Sequence, residues 1–551
     1  MLVERGVISP EQLAEATALR KEKGLRLDRA LVKLGYVEET VIQQIVSEQL
    51  AIPLMDLSGI TIEPEVLRSL PSRIVYRKRL VPVARENGTL TVATSDPFDL
   101  YAFDEIRMLT DLEIRPVLAS EDQINQVIKS HYGVGGDTIE EMAGDDEVQV
   151  LSEVSEDAED LTKMAQEASV IRLVNEIFME GLNERASDIH IEPYEHELVI
   201  RYRIDGVLHT TPVPPQIQRY QAAIISRIKI LANLNIAEKR VPQDGRIKLK
   251  FGGREVDIRV SVIPMLFGEG IVMRVLDKSQ VLYTLPQLGM PPDTFKTFEQ
   301  EIARPHGIIL VTGPTGSGKT TTLYAALQAI LNGELKIITV EDPVEYHLRG
   351  INQIQVNHKV GLTFAAGLRA ILRHDPDVVM IGEIRDTETA QAAIQAALTG
   401  HLVLSTLHTN DACSAATRLI DMGIEPFLVA STLNAAMAQR LVRAICKSCR
   451  EEYEPDPDEL PPDFQIEPGT KLYRGAGCKA CRGTGYRGRT GLYELMTTSH
   501  ELRELMIQRA ASHRLVEVAC SQGLRLLRED GWLKVRQGIT TVDEVIRSTT
   551  V

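Results

Sequence analysis

The stretch Gly313-Pro314-Thr315-Gly316-Ser317-Gly318-Lys319-Thr320, followed by Thr321, has the spacing G-x-x-x-x-G-K-[ST]. An apolar run, Ile308 to Val311, leads into it, and a helical pattern, Thr322 to Leu327, leads out. A buried strand, a glycine-rich turn and a helix start form a phosphate cradle. The glycines let backbone N–H groups curl around the anion, and the helix N-terminus adds its positive dipole end. Lys319 is expected to reach the β- and γ-phosphates, and the Thr320 hydroxyl to help hold Mg²⁺. The chemistry implied is that of a nucleoside triphosphate, ATP with Mg²⁺.

Acidic residues stand at the ends of two further apolar runs. Lys336 to Val340 ends in Glu341-Asp342-Pro343-Val344-Glu345, and Val378 to Ile381 ends in Gly382-Glu383-Ile384-Arg385-Asp386. Leu402 to Thr406 is bracketed by His401 and His408. Transfer of a phosphoryl group to water needs one residue to help hold Mg²⁺ and another to orient or deprotonate the water. Glu345 and Glu383 have the chemistry for both tasks, and the sequence does not divide the tasks between them. The two histidines are expected to sense the γ-phosphate.

Cys446-Lys447-Ser448-Cys449 and Cys478-Lys479-Ala480-Cys481 form a second constellation. Each pair sets two thiolates on one tight turn, and two such turns close a tetrahedron around Zn²⁺. Gly475, Gly477, Gly483 and Gly485 crowd the second turn, as such a knuckle requires. Cys413 and Cys520 have no partner at metal spacing and read as core residues.

These groups need scaffolds, and the length supplies several. The chain has 551 residues, beyond the roughly 250–300 at which single cores stop growing. The net charge of −16 is concentrated in one tract: eleven acidic residues and no Lys or Arg lie between Asp137 and Asp160. The remainder is nearly neutral, with no dominant basic footprint for nucleic acid. No apolar run approaches the roughly 18–20 residues of a membrane span, and charges interrupt any candidate secretion signal.

Residues 1–133 read as an α/β unit, with helices over Pro10 to Lys23 and Thr40 to Leu50. A hairpin through Asn87-Gly88 follows. Residues 134–164, the acidic tract, cannot bury enough apolar surface to offset chain entropy and read as a flexible linker. Residues 165–285 read as an α+β domain. Its parts are an amphipathic helix from Val170, the segment Arg185 to Glu192, the strand Leu198 to Ile204, and a strand pair headed by Arg240 to Arg246. From 286 to 551, short apolar strands alternate with helices, which predicts a mostly parallel, doubly wound sheet with ligands at the strands' carboxyl ends. That segment takes in the tetracysteine region at 440–495 and a helical tail at 496–551, with Trp532 as its packing anchor.

Gly313 to Thr320, Glu341 to Glu345, Gly382-Glu383 and the His401–His408 segment resemble the four boxes of the type II secretion and type IV pilus assembly ATPases. Arg185 to Glu192 and Arg240 to Arg246 resemble the domain that precedes the motor in that family. Gly382-Glu383 stands where the usual phosphate-loop pattern ends in Asp, as is usual in the family. The resemblance implies a RecA-like hexameric motor, with Glu345 as the catalytic carboxylate and Glu383 at the metal and water. It also implies a phosphate contact from Arg201, Arg203 or Arg219, with Arg201 preferred. The implied partners are an inner-membrane platform protein and the cytoplasmic domain of an inner-membrane anchor protein. The implied location is cytoplasmic, at the inner face of the bacterial inner membrane. Tyr486-Arg487-Gly488-Arg489-Thr490-Gly491 resembles the secretion branch more than the pilus branch.

Arg26-Leu27-Asp28, with Leu31-Val32, Gly35, Ile42, Val46 and Gln49, resembles the tandem motif of an N-terminal cyclic di-GMP-binding domain on some of these ATPases. Gly6, Leu13, Thr17 and Arg20 form an incomplete earlier copy. Asp28 stands where that motif prefers Gly, and Arg20 where it prefers Gln. A weakened ligand site and a domain used mainly for docking are expected. Two rival readings share the phosphate loop. A nucleic-acid translocase needs a basic channel, and a scaffold that binds ATP without turnover has no use for Lys319, Glu345 and Glu383 together.

Overall fold

A computed structural model describes residues 3–132, 167–277 and 283–550, apart from 4, 6, 24–26, 38, 59, 61, 71, 87, 252–253, 457, 459 and 468. The linker expected at 134–164 and Gly6 and Arg26 of the dinucleotide motif lie outside the described residues, as do the side chains of Arg20 and Asp28. The chain divides into two compact units, Met1–Asp277 and Lys278–Val551.

In the first unit, helices Pro10–Lys23 and Glu39–Leu50 form where the apolar spacing places them, the second one residue earlier than expected. Strands β1 (Leu80–Glu86), β2 (Thr89–Thr94) and β3 (Glu113–Leu118) make a small sheet in that order. β1 and β2 are antiparallel, while β2 and β3 are parallel and so need a crossover. The helix Leu100–Thr110 supplies it, burying Ala102, Phe103 and Ile106 and capped by the Asp99 carboxylate, which accepts from the Ala102 N–H.

Six antiparallel strands follow: β4 (Asp188–Pro193), β5 (Leu198–Ile204), β6 (Val207–Thr211), β7 (Gln243–Phe251), β8 (Arg254–Met265) and β9 (Gly268–Asp277), in the order β6-β5-β4-β9-β8-β7. The segment expected to hold a strand pair after Arg240 therefore holds three strands. Helix Ala168–Asn183 lays Leu173, Val174, Ile177 and Phe178 into their core; of the face read from the sequence, Val174, Ile177 and Phe178 are buried and Ile171 and Leu182 half-buried, with Leu173 in addition.

The second unit is built on β10 (Gly307–Thr312), β11 (Ile337–Glu341), β12 (Asn352–Gln355), β13 (Val378–Ile381), β14 (Leu402–Leu407) and β15 (Leu433–Ile445). A two-stranded ribbon, β16 (Arg450–Tyr453) with β17 (Leu472–Gly475), stands apart, and β18 (Tyr486–Thr497) returns to the main sheet. The sheet order is β12-β11-β13-β14-β10-β15-β18. All neighbours are parallel except β15 and β18. Every residue of β10, β11, β13 and β14 is buried, as continuous apolar runs require when helices cover both sheet faces. One face packs on Leu323, Tyr324 and Leu327 of helix Lys319–Ile330. The other packs on the alanine-rich side of helix Thr387–Leu398.

Four helices, His500–Ile507, Ser512–Ser521, Leu527–Arg536 and Val542–Thr549, form the tail. Trp532 stacks on Phe464 with ring centroids 4.7 Å apart, and its indole N–H donates to Asp463 at 3.0 Å. No helix among the described residues is long and apolar enough to cross a membrane.

Candidate active site and metal centre

The phosphate loop leaves β10 at Gly313 and enters helix Lys319–Ile330 through Gly318. Gly313 has φ +141°, and a Cβ there would lie 2.5 Å from the Gln439 carbonyl oxygen. Only glycine lets the loop lie this close to β15. Lys319 is buried, and its ammonium donates to the carbonyl oxygens of Gly313 at 2.8 Å and Pro314 at 3.0 Å. Burial pushes its pKa down to about 8, with Arg440 acting in the same direction and Glu383 opposing. The Lys319 ammonium is thus held inside the curl of the loop. Thr320, in the first turn of the helix, is half-buried, as is Thr321.

Glu383 lies two residues past the end of β13. Its side chain is 14% exposed and lies between Arg385, at 2.6 Å, and His408 Nε2, at 3.3 Å. The Gly382 backbone is fixed on both sides: its N–H donates to Val340, and its carbonyl accepts from Thr406 Oγ1. β14, which ends just before His408, lies between β10 and β13 with Thr312 opposite Leu407 and Ile381 opposite Ser405. The parallel register therefore brings the phosphate loop, His408 and Glu383 to one edge.

The two glutamates after β11 differ sharply. Glu341 is buried and satisfied, accepting from Thr339 Oγ1 at 2.6 Å, Gln353 Nε2 at 3.1 Å and the Tyr324 hydroxyl. It is a structural acceptor. Glu345 is half-buried on the following loop, with its backbone N–H donating to the same Tyr324 hydroxyl at 3.4 Å. Tyr324, in the second turn of the phosphate-loop helix, thereby ties the Glu345 loop to that helix. Nothing in the spacing of the boxes points to it.

His401 stands elsewhere. It precedes β14 at the amino edge, where its Nδ1 lies 2.9 Å from the Ala396 carbonyl and 3.1 Å from Thr399 Oγ1, at the end of helix Thr387–Leu398. The six residues of β14 lie between it and His408, seven steps that span roughly 23 Å at about 3.3 Å per residue. The structure brings Lys319, Glu383 and His408 together and leaves His401 out. Bracketing a strand in sequence places two residues at opposite edges of the sheet.

Arg201 and Arg203 lie on β5 in the first unit, Arg201 paired with Glu192 and Arg203 3.7 Å from Asp188. Arg219 is exposed in the turn Pro215–Tyr220. Gln439 and Arg440 were not legible as site residues. The buried Gln439 accepts from Thr322 Oγ1 at 2.8 Å, and its polarity within an otherwise apolar run was the available signal.

The four paired cysteines converge. Sγ atoms of Cys446 and Cys478 are 3.8 Å apart, those of Cys449 and Cys481 3.7 Å, and those of Cys478 and Cys481 3.7 Å. A tetrahedral Zn²⁺ with Zn–S bonds of about 2.3 Å has S···S edges of about 3.8 Å. The donor set therefore fits zinc. Backbone N–H groups of Cys478 and Gly485 point at Cys481 Sγ, at 3.1 and 3.3 Å, as thiolate acceptors require. A Cβ on Gly475 would fall 2.0 Å from the Gly485 carbonyl, so the strands flanking the site cross at glycine. Of the two cysteines expected in the core, Cys413 is fully buried there, which pushes its thiol pKa up, whereas Cys520 is exposed, near the end of helix Ser512–Ser521.

Two family profiles match the sequence. That of the MshEN domain covers residues 50–138, and that of the type II/IV secretion system protein covers residues 163–547. The type IV pilus assembly ATPase PilB of Myxococcus xanthus is 44% identical over 556 residues, spanning 100% of this chain and 98% of that protein. The type II secretion system protein E of Xanthomonas campestris is 44% identical over 564 residues, spanning 100% and 97%. The type II secretion system ATPase E of Vibrio cholerae is 46% identical over 494 residues, spanning 88% and 98%. With this identity along the whole length, and with the phosphate loop, Glu383 and His408 on one edge of a parallel sheet, the chain belongs to the type II/IV secretion system family of ATPases.

Proposed function

We propose that the chain is the motor of a type II secretion system, hydrolysing ATP to drive pseudopilus assembly and protein export. The observation that carries the catalytic part is the convergence of Lys319, Glu383 and His408 at one sheet edge, with Glu345 on the neighbouring loop. When bound, ATP and Mg²⁺ supply the transferable phosphoryl group and its charge neutralisation. Gly313 to Thr321 cradle the phosphates, Lys319 places its charge on the β- and γ-phosphates, and Thr320 and Glu383 help hold the ion. Glu345 orients the attacking water and takes its proton. His408 faces the γ-phosphate. Zinc in the tetracysteine site clamps the excursion between β15 and β18.

A second reading, pilus extension, is favoured by the equal identity to the Myxococcus pilus ATPase. Tyr486 to Gly491 is the feature on which we place the chain in the secretion branch. We further propose a homohexamer, peripheral at the cytoplasmic face of the inner membrane, with residues 1–133 docking an anchor protein's cytoplasmic domain and the motor meeting a platform protein. Disrupting the gene in its host tests the branch. Loss of secretion with surface pili intact supports our reading, and loss of pili alone supports the other. Hydrolysis by the purified chain that rises with DNA or RNA, but not with the platform protein, would move it to the translocase class.

A further inference from the structure

β15 lies beside β10 with Thr312 opposite Ala438, so Gln439 and Arg440 are the next residues beyond the end of β10, beneath the phosphate loop. A Cβ on Gly313 would meet Arg440 NH1 at 3.1 Å, so the guanidinium lies against the first residue of that loop. NH1 donates to the Gln439 carbonyl at 3.1 Å. NH2 donates to the Asn410 carbonyl at 3.0 Å and to Asn410 Oδ1 at 3.3 Å. Asn410 is two residues beyond His408, on the loop that leaves β14. The same loop is held at its next residues, where Thr312 Oγ1 donates to the Asp411 carbonyl at 3.4 Å and the Ala412 N–H to the buried Glu494 carboxylate at 2.8 Å.

The guanidinium thus ties Asn410, on the loop after β14, to the Gln439 carbonyl of its own strand, while it lies against the phosphate loop at Gly313. A planar fork with fixed donor directions sets the separation of its acceptors, which the single rotatable ammonium of Lys does not. Burial opposes the charge of Arg440. A charge kept in that place holds something in register.

We propose that Arg440 is a positioning residue for ATP hydrolysis, fixing the loop that carries His408 against the phosphate loop so that His408 and Glu383 meet the γ-phosphate together. The proposal rests on the reading of His408 and Glu383 as acting residues. Arg440 acts through Asn410, on a group two residues away.

The test uses the purified full chain, measuring steady-state ATP hydrolysis and the Kd of a non-hydrolysable ATP analogue. Arg440→Gln should lower kcat by on the order of ten- to hundredfold, as a misplaced group does, with KM and analogue Kd within about threefold. Arg440→Lys should recover part of the loss. The double variant with His408→Ala should be about as slow as the slower single variant, because both changes act on one group. A kcat for Arg440→Gln within about twofold of the native rate overturns the proposal, as do losses that multiply in the double variant. Loss of analogue binding in both Arg440→Gln and Arg440→Lys overturns it too, since Arg440 would then only support the fold of the phosphate loop. His408→Ala hydrolysing at the native rate sinks the underlying site reading and this proposal with it. An impaired His408→Ala beside a normal Arg440→Gln sinks this proposal alone.

Discussion

The Lys319 ammonium lies 2.8 Å from the carbonyl oxygen of Gly313, six residues back and at the other end of the same loop. A lysine that closes its own loop holds one donor on each of two carbonyls and keeps a third for a phosphate oxygen. The charge that binds nucleotide therefore also shapes the cradle. Lys319→Ala should lose nucleotide binding and turnover together. Fluorescent-nucleotide titration should find no saturable binding, and native-like affinity in this variant would remove Lys319 from the site.

Glu345→Gln should separate the two functions. The loop keeps its tether to Tyr324, so binding should persist within about threefold, while turnover should fall by the 10²–10⁴-fold typical of acid–base groups. Hydrolysis above about a tenth of the native rate would reassign the catalytic carboxylate.

Tyr324→Phe tests the tether itself. It leaves the buried Glu341 with Thr339 and Gln353 but without its phenol donor, costing about 1–3 kcal/mol of stability by urea titration. It also frees the Glu345 loop, so kcat should drop while analogue binding holds. An unchanged kcat in a measurably destabilised protein would confine Tyr324 to packing.

What the sequence made legible, and what it hid, follows from range. The phosphate loop, the carboxylates after β11 and β13, and the cysteine pairs are local spacings, readable without knowing any partner strand. β15 is the opposite case. Leu433-Asn434-Ala435-Ala436-Met437-Ala438-Gln439-Arg440-Leu441 is rich in strong helix formers, yet pairing between β10 and β18 makes it the longest strand of the motor sheet. Tertiary pairing overrode propensity there, and the contacts of Gln439 and Arg440 were hidden with it. His401 is a different case: residues on either side of a six-residue strand lie at its opposite ends, so only one of the two histidines can stand at the carboxyl edge.

The pKa of Lys319, held down to about 8, sets a pH dependence. Only the ammonium form attracts phosphate, and that form is about half populated at pH 8 and nearly complete by about pH 7. Above it, ATP binding must take up a proton, so affinity should be level near pH 7 and fall by up to about tenfold per unit beyond about pH 8. Calorimetry in buffers of differing ionisation enthalpy should show proton uptake close to zero at about pH 7, rising towards about one at pH 9. A Kd that stays constant to about pH 9.5 would mean that the lysine is not titrating there.

The purified chain should carry about one zinc per protomer, in keeping with four-thiolate structural sites. Serine at Cys446 or Cys478 should release the ion and expose the segment between β15 and β18 to proteolysis. Serine at the core residue Cys413 should not. Elemental analysis finding no zinc in protein purified without chelator would end the proposal.

Residues 1–133 present the least direct case. Gly35, a position of the dinucleotide motif, has φ +73° at the turn before helix Glu39–Leu50, a conformation that favours glycine. The earlier copy of the motif is incomplete, and each copy would hold part of a cyclic di-GMP. Removing residues 1–133 should therefore leave basal ATPase largely intact while abolishing recruitment to membranes that contain the anchor protein. Calorimetry on the full chain should find cyclic di-GMP binding weaker than about 1 μM, the affinity worth about −8 kcal/mol. A tighter constant would make the unit a ligand sensor, because a grip of that strength needs both motif copies to act. Collapse of basal hydrolysis on truncation would show instead that the unit helps build the motor.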